Sequence, residues 1–231
     1  MEKRRRILIL FLIVIGLVLM LPNSCKKADD TSTTVTDQDG NVYKTVTIGT
    51  QVWMAENLKT TKYLNGDPIE TTTSATSDIS GENTPKYQWV SSGFENNVGT
   101  YGRLYTWFVV TDSRKVCPTG FHLPNDVEWA TLVTYLGGET VAGGKLKETG
   151  TTHWLSLNVG ATNETGFTAL PSGCRYLDGS FAGVGSYSGW WSITEDDETY
   201  ALPQFVLYNY GKVFRESFNK KAGISVRCLK D

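Results

Sequence analysis

Asp39-Gly40-Asn41-Val42-Tyr43-Lys44-Thr45-Val46-Thr47-Ile48-Gly49-Thr50-Gln51-Val52-Trp53-Met54-Ala55-Glu56-Asn57-Leu58 is the stretch from which the rest of the chain is best read. Asp39-Gly40 is a hairpin-type dipeptide, because glycine reaches the left-handed backbone that tight turns need. From Val42 to Ile48 the β-branched residues, with Tyr43 and Thr45 between them, have strand composition, and Gly49-Thr50 ends the run. Gln51 to Met54 is a second short run placed to pair with the first. An antiparallel pair therefore opens a domain expected over residues 37–231.

Downstream, residues 60–102 carry Asn65-Gly66, Pro68, Gly81, Pro85 and Gly93 with isolated Tyr87 and Trp89, a pattern of loop and turn. So long a connection is unusual in a compact domain unless it works or holds short elements of its own. After Pro124 the spacing predicts a helix: Asn125 caps it, Glu128 completes a capping box, Trp129, Leu132, Val133 and Leu136 share one face, and Gly137-Gly138 stops it. A weaker helix lies within 140–147, where Gly143-Gly144 argues against it. The C-terminal part reads as a turn at Asp178-Gly179 and strands over 200–208, 212–218 and 224–229. Few helices among short antiparallel strands and long loops make a single α+β domain.

Upstream, Lys3, Arg4, Arg5 and Arg6 precede an apolar run from Ile7 to Leu21. At ~1.5 Å per residue this run spans roughly 22 Å, short of a ~30 Å hydrocarbon core, so residues 1–24 read as a signal peptide. Ser24-Cys25 closes the run in a way that resembles a bacterial lipobox, although Pro22 stands where a leucine is usual. The resemblance implies lipidation at Cys25, a membrane partner through that lipid, and a lipoprotein at the outer membrane or cell surface. Lys26-Lys27-Ala28-Asp29-Asp30 is similar to the surface-export tags of such proteins. Residues 25–36, polar and without period, read as a flexible tether.

The chain carries 22 Lys+Arg against 24 Asp+Glu, with 40% hydrophobic and 12% aromatic residues. That composition supports one packed core and excludes a disordered or polytopic membrane chain. Removal of residues 1–24 leaves 18 cations against 23 anions, a net of −5. The net charge gives no electrostatic reason to expect nucleic acid, and no nucleic-acid partner is expected.

The blocks follow one another in a fixed order: 39–58, Gly102-Arg103-Leu104-Tyr105-Thr106-Trp107, Val116-Cys117-Pro118-Thr119-Gly120-Phe121-His122-Leu123-Pro124, Glu128-Trp129, Gly166 to Pro171, Trp190 to Glu195, and Ser225-Val226-Arg227-Cys228. In this order they resemble the Fibrobacter succinogenes major paralogous domain, and more distantly the formylglycine-generating-enzyme family. The resemblance implies a C-type-lectin-like fold. It also implies a disulfide between Cys117 and Cys228, the two positions where the family carries cysteine, which leaves Cys174 as a buried, unpaired substitute. From the sequence, a pairing through Cys174 stays open.

The copper-binding cysteine pair of the formylglycine-generating enzymes is not reproduced by a lone Cys174, so no cofactor is expected. Zinc spacing is absent, and His122 and His153 have no nucleophile beside them in sequence. Glu195-Asp196-Asp197-Glu198 is the best calcium candidate, but it reads more simply as a solvated turn, and no metal is expected. Asp37, Asp39 and Asn41 are turn formers. Trp53, Trp107, Trp129 and Trp191 fall in family blocks and are expected in the core. Tyr187, Trp190, Tyr208 and Tyr210 lie in the half where lectin-like folds place their variable loops, and are the candidate ligand-binding residues, since aromatic faces stack on sugars and apolar groups. The expected function is that of a monomeric, non-enzymatic binding or adhesion module for a glycan, protein or envelope ligand. The rival expectations are a divergent enzyme of the formylglycine-generating type and a purely structural envelope protein.

Overall fold

The computed structural model describes residues 33–231, so the expected signal peptide and Cys25 lie outside the described residues. In chain order the strands and helices begin with β1 (Thr34–Thr36), β2 (Val42–Ile48), β3 (Gln51–Met54) and β4 (Gln88–Val90). Next come α1 (Val98–Tyr101), β5 (Arg103–Tyr105), α2 (Trp107–Val110), β6 (Phe121–His122), α3 (Asp126–Tyr135) and α4 (Glu139–Leu146). The C-terminal part holds β7 (Ser172–Arg175), β8 (Phe181–Val184), β9 (Tyr187–Trp190), β10 (Tyr200–Ala201), β11 (Gln204–Leu207), β12 (Val213–Arg215), β13 (Phe218–Asn219) and β14 (Leu229–Lys230). This is an α+β domain.

Two five-stranded sheets organise it. One has the order β1-β2-β3-β14-β6 with antiparallel neighbours, so the last strand lies beside the opening hairpin. The other has the order β12-β11-β9-β7-β8, antiparallel except for the β7–β9 pair. Both sheets are packed on two sides, because neighbouring residues point to opposite faces of a strand. In the first sheet Tyr43, Met54 and Cys228 enter one apolar cluster, while Ile48, Trp53 and Leu229 enter a second. In the other sheet Phe205 belongs to the first cluster and Trp190, Val206 and Val213 to the second. Trp53, Trp107, Trp129 and Trp191 are all buried, as their block positions led us to expect.

Helix α3 supplies much of the second cluster through Trp129, Leu132, Val133 and Leu136. Its capping box is complete: Asn125 Oδ1 accepts from the Glu128 N–H at 2.9 Å, and Glu128 Oε2 accepts from the Asn125 N–H at 2.8 Å. At the other end Gly138 N–H bonds to Val133 O and Gly137 N–H to Thr134 O, the pattern of a Schellman stop. Helix α4 forms despite Gly143-Gly144, and because of them. A Cβ on Gly144 would stand 2.2 Å from Gly160 O, and one on Gly143 2.2 Å from Lys212 O, so only glycine lets this helix lie against those loops.

The disulfide joins Cys117, in the loop before α3, to Cys228 beside the last strand, and Cys174 is free and buried. The long connections are held by buried cations. Arg175 donates to Ala75 O at 2.8 Å, to Tyr176 O and to Ser77 O, and stacks 3.9 Å from the Trp89 ring, which ties the 60–102 segment to β7. Arg227 bonds Asn57 Oδ1 at 2.9 Å together with the carbonyls of Phe167 and Thr168. Lys147, fully buried, donates to Val159 O, Leu207 O and Tyr210 O at 2.9–3.0 Å.

Several boundaries differ from the sequence reading. Strand pairing begins before residue 37, because Thr34–Thr36 pair with β2 as an edge strand; two exposed threonines around one half-buried Val35 are too short a run to reveal it. The strand read over 200–208 is two strands, interrupted at Leu202-Pro203, as proline requires. That over 212–218 is also divided, and that over 224–229 survives mainly as single bridges from Ile224 and Ser225 before β14. Strands β7, β8 and β9 carry no sequence signal of strand length.

Candidate functional site

On β9, β11 and β12 the alternation that sends Trp190, Val206 and Val213 into the second apolar cluster turns Tyr187, Phe205, Leu207 and Phe214 to the opposite face, against the first cluster. Phe205 lies across from Phe214, and Leu207 across from Tyr187. With Tyr176, Glu216 and Phe218 these four line an open groove of about 280 Å³. The ring centroids form a chain: Tyr187–Phe205 at 6.3 Å, Phe205–Phe218 at 5.3 Å and Tyr176–Phe218 at 6.2 Å. Tyr210 extends it by stacking edge-on to Phe214 at 5.3 Å. Tyr176 is 38% exposed and Tyr210 48%.

Two glycines make this surface flat. A Cβ on Gly189 would stand 2.3 Å from the Phe205 ring, and one on Gly183 2.1 Å from the Tyr187 ring, so each ring rests on bare backbone. The Tyr187 hydroxyl lies 2.9 Å from Cys174 Sγ, which fixes the ring from behind. Burial, and then the thiol beside it, raises the Tyr187 pKa well above the usual phenol range, and burial pushes the Cys174 thiol up against the opposing effect of Tyr187. Both groups are neutral near pH 7. The groove offers π-faces and apolar edges, with a carboxylate and tyrosine hydroxyls at its rim.

The candidate residues divide. Tyr187 lines this groove, and Tyr210 reaches its edge by packing on Phe214. Tyr208 is half-buried against the second apolar cluster, with its backbone shared between Ser186 and Val159. Trp190 is not a surface residue: it is 1% exposed, donates its indole N–H to Asn57 Oδ1 at 2.8 Å and packs 5.5 Å from Phe167. Three positions separate it from Tyr187 on one strand, so the two must face opposite ways. Tyr176, Phe205, Phe214 and Phe218 were missed, although Val213-Phe214 and Phe205-Val206 carry the alternation that would have placed them.

The remaining polar candidates are structural in geometry. His122 is held between Asp231 Oδ1 at 2.7 Å and Glu128 Oε1 at 2.9 Å. Burial works against its proton, but these two carboxylates outweigh it and raise its pKa. His153 bonds Glu148. Along Glu195–Glu198 the carbonyls of Asp197 and Glu198 accept from the Lys220 ammonium, which lies 3.3 Å from Glu195 Oε2. Among the described residues no three His, Cys, Asp or Glu side chains gather as a metal-binding group, and no helix is long and apolar enough to cross a membrane. Asp37 holds the hairpin turn by accepting from Asp39 N–H and Asn41 N–H.

A family model described as the Fibrobacter succinogenes major domain matches residues 46–230. The chain belongs to this family. The matched span of the Fibrobacter succinogenes major domain begins within β2 and ends in β14, so it takes in all of the second sheet, the first sheet apart from β1 and the start of β2, the disulfide and every residue of the groove. No curated protein and no solved structure matches the chain.

Proposed function

We propose that this Fibrobacter succinogenes major domain is a non-enzymatic binding or adhesion module of C-type-lectin-like fold, carried at the outer membrane or cell surface by a lipid on Cys25, and that the aromatic groove is its contact surface. The observation that carries this reading is the row of rings at Tyr187, Phe205 and Phe214 along an open groove at the edge of the first apolar cluster, two of them seated directly on glycine backbone. Stacked rings with a carboxylate and hydroxyls at the rim suit the apolar face of a sugar whose hydroxyls reach Glu216 and the tyrosines. An enzyme of the formylglycine-generating type is less well supported, since Cys117 is bridged to Cys228 and Cys174 faces a tyrosine.

A second reading, a protein ligand, is favoured by the loop that bonds to Gly185 after β8 and to Tyr208 after β11. Leu155, Leu157 and Val159 are 49%, 73% and 41% exposed, and exposed aliphatic patches mark protein contacts. The test is an envelope-polysaccharide and glycan array probed with the full-length protein and with Phe214→Ala and Tyr210→Ala variants. Saturable binding lost in both variants supports the glycan module. Binding that survives both removes the groove from the account, and no glycan binding at all turns the reading to a protein partner.

A further inference from the structure

A larger cleft lies away from the aromatic groove, where the loop before α3 meets α2. It holds about 580 Å³, within the range of small-ligand sites, and includes Cys117 of the disulfide. Its apolar walls include Trp107, Val110, Phe121, Leu123 and Ile193. Four charged or titratable residues also line it, and three of them are already engaged. Asp112 pairs with Arg114 at 2.9 Å and Lys86 at 2.7 Å, Glu195 faces Lys220, and His122 sits between Glu128 and Asp231. The fourth, Lys115, makes no ion pair among the described residues.

Lys115 is also held in place from the backbone. Its φ of +58° is left-handed, a conformation that costs a non-glycine residue about 1 kcal/mol or more. Its N–H bonds to Asp112 O, and its carbonyl accepts from Leu64 N–H. Among the charged residues that line this largely apolar cleft, the exposed Lys115 is the one without an ion-pair partner among the described residues, and its charge is positive.

We propose that this cleft binds a small apolar carboxylic acid, with the hydrocarbon or aromatic body against Trp107, Val110 and Leu123 and the carboxylate on the Lys115 ammonium. Burying the body supplies affinity, and the ion pair selects an anion over a neutral molecule of the same shape. The site is independent of the aromatic groove, so it stands or falls separately from the glycan reading.

The experiment is calorimetric titration of the full-length protein with 2-naphthylacetate and its neutral amide. Saturable binding of the acid is expected, at least about tenfold weaker for the amide and for Lys115→Glu, lost in Ile193→Trp, which fills the cleft from its exposed side, and unchanged in Phe214→Ala. Ile193 is 44% exposed and Lys115 lies at the surface, so neither change strains the core. Equal affinity for acid and amide, full binding by Lys115→Glu, or no saturable heat with the wild type overturns the proposal.

Discussion

His122 and Lys147 show how opposite environments move two cationic side chains in opposite directions. His122 is clasped by two carboxylates and its pKa is raised, so the folded protein holds that proton more tightly than the unfolded chain does. The stability it contributes is full below the unfolded value of 6.5 and is lost as pH rises through the raised one. The His122→Gln variant is therefore expected to be less stable than wild type below that value and equal to it at alkaline pH, and the His122 ring protons to titrate with a midpoint above 6.5 in NMR. Lys147 is the reverse case: burial lowers its pKa from 10.5 to about 8. The unfolded chain binds the proton more tightly, so its contribution to stability rises between those two values. Urea titrations of Lys147→Met should show a loss of about 2–4 kcal/mol from three stranded carbonyls, and a wild-type advantage that widens from pH 8 to pH 10. Neither environment was legible in the sequence, because Asp231 reaches His122 from the far end of the chain and the carbonyls around Lys147 come from two later loops and β11. Trp190 was misplaced for a further reason: its strand, Tyr-Ser-Gly-Trp, has no strand signal, so its alternation with Tyr187 shows only in the fold.

Among the elements, α3 was the most legible because everything that forms it is local: a cap, an i/i+3/i+4 face and a glycine stop. Strands β7 and β9, written Ser-Gly-Cys-Arg and Tyr-Ser-Gly-Trp, were not legible, since their glycines and serines have no strand preference and pairing alone makes them extended. Helix α4 sets propensity against packing in a way that can be measured. Alanine in place of glycine favours an isolated helix by about 1 kcal/mol. In this fold, however, a Cβ on Gly144 would meet Gly160 O at 2.2 Å, backbone against backbone, with no flexible side chain to give way. Gly144→Ala is accordingly expected to destabilise the domain by about 2 kcal/mol or more, read as a lowered urea midpoint at unchanged m-value. An increase in the midpoint would show that the loop at 160 yields freely.

For the molecule as a whole, the α+β class followed from the pattern of runs and turns. The pairing of Cys117 with Cys228 followed only from the family resemblance, since spacing alone could not choose among three cysteines. The bridge spans a sequence separation of 111 and ties the loop before α3 to the strand that completes the first sheet. In the chain-entropy model such a closure contributes about 4–5 kcal/mol, so the Cys117→Ser/Cys228→Ser variant should lose roughly that much stability in guanidinium unfolding. Reduction of the wild type should do the same, whereas Cys174→Ser should leave the effect of reduction intact. Of the proposed groove, the sequence reading named Tyr187 and, at its edge, Tyr210; the phenylalanines beside them lie on strands whose alternation gives their face, while only the fold brings those strands side by side.

The flat glycine floor under that site separates what can change from what cannot. At Gly183 and Gly189 any side chain displaces the ring of Tyr187 or Phe205, whereas Tyr176, Tyr210 and Glu216 stand in solvent around them. A combinatorial library that varies those three rim positions and keeps both glycines would hold the platform constant while new specificities are selected upon it, which makes this domain a scaffold for engineered recognition.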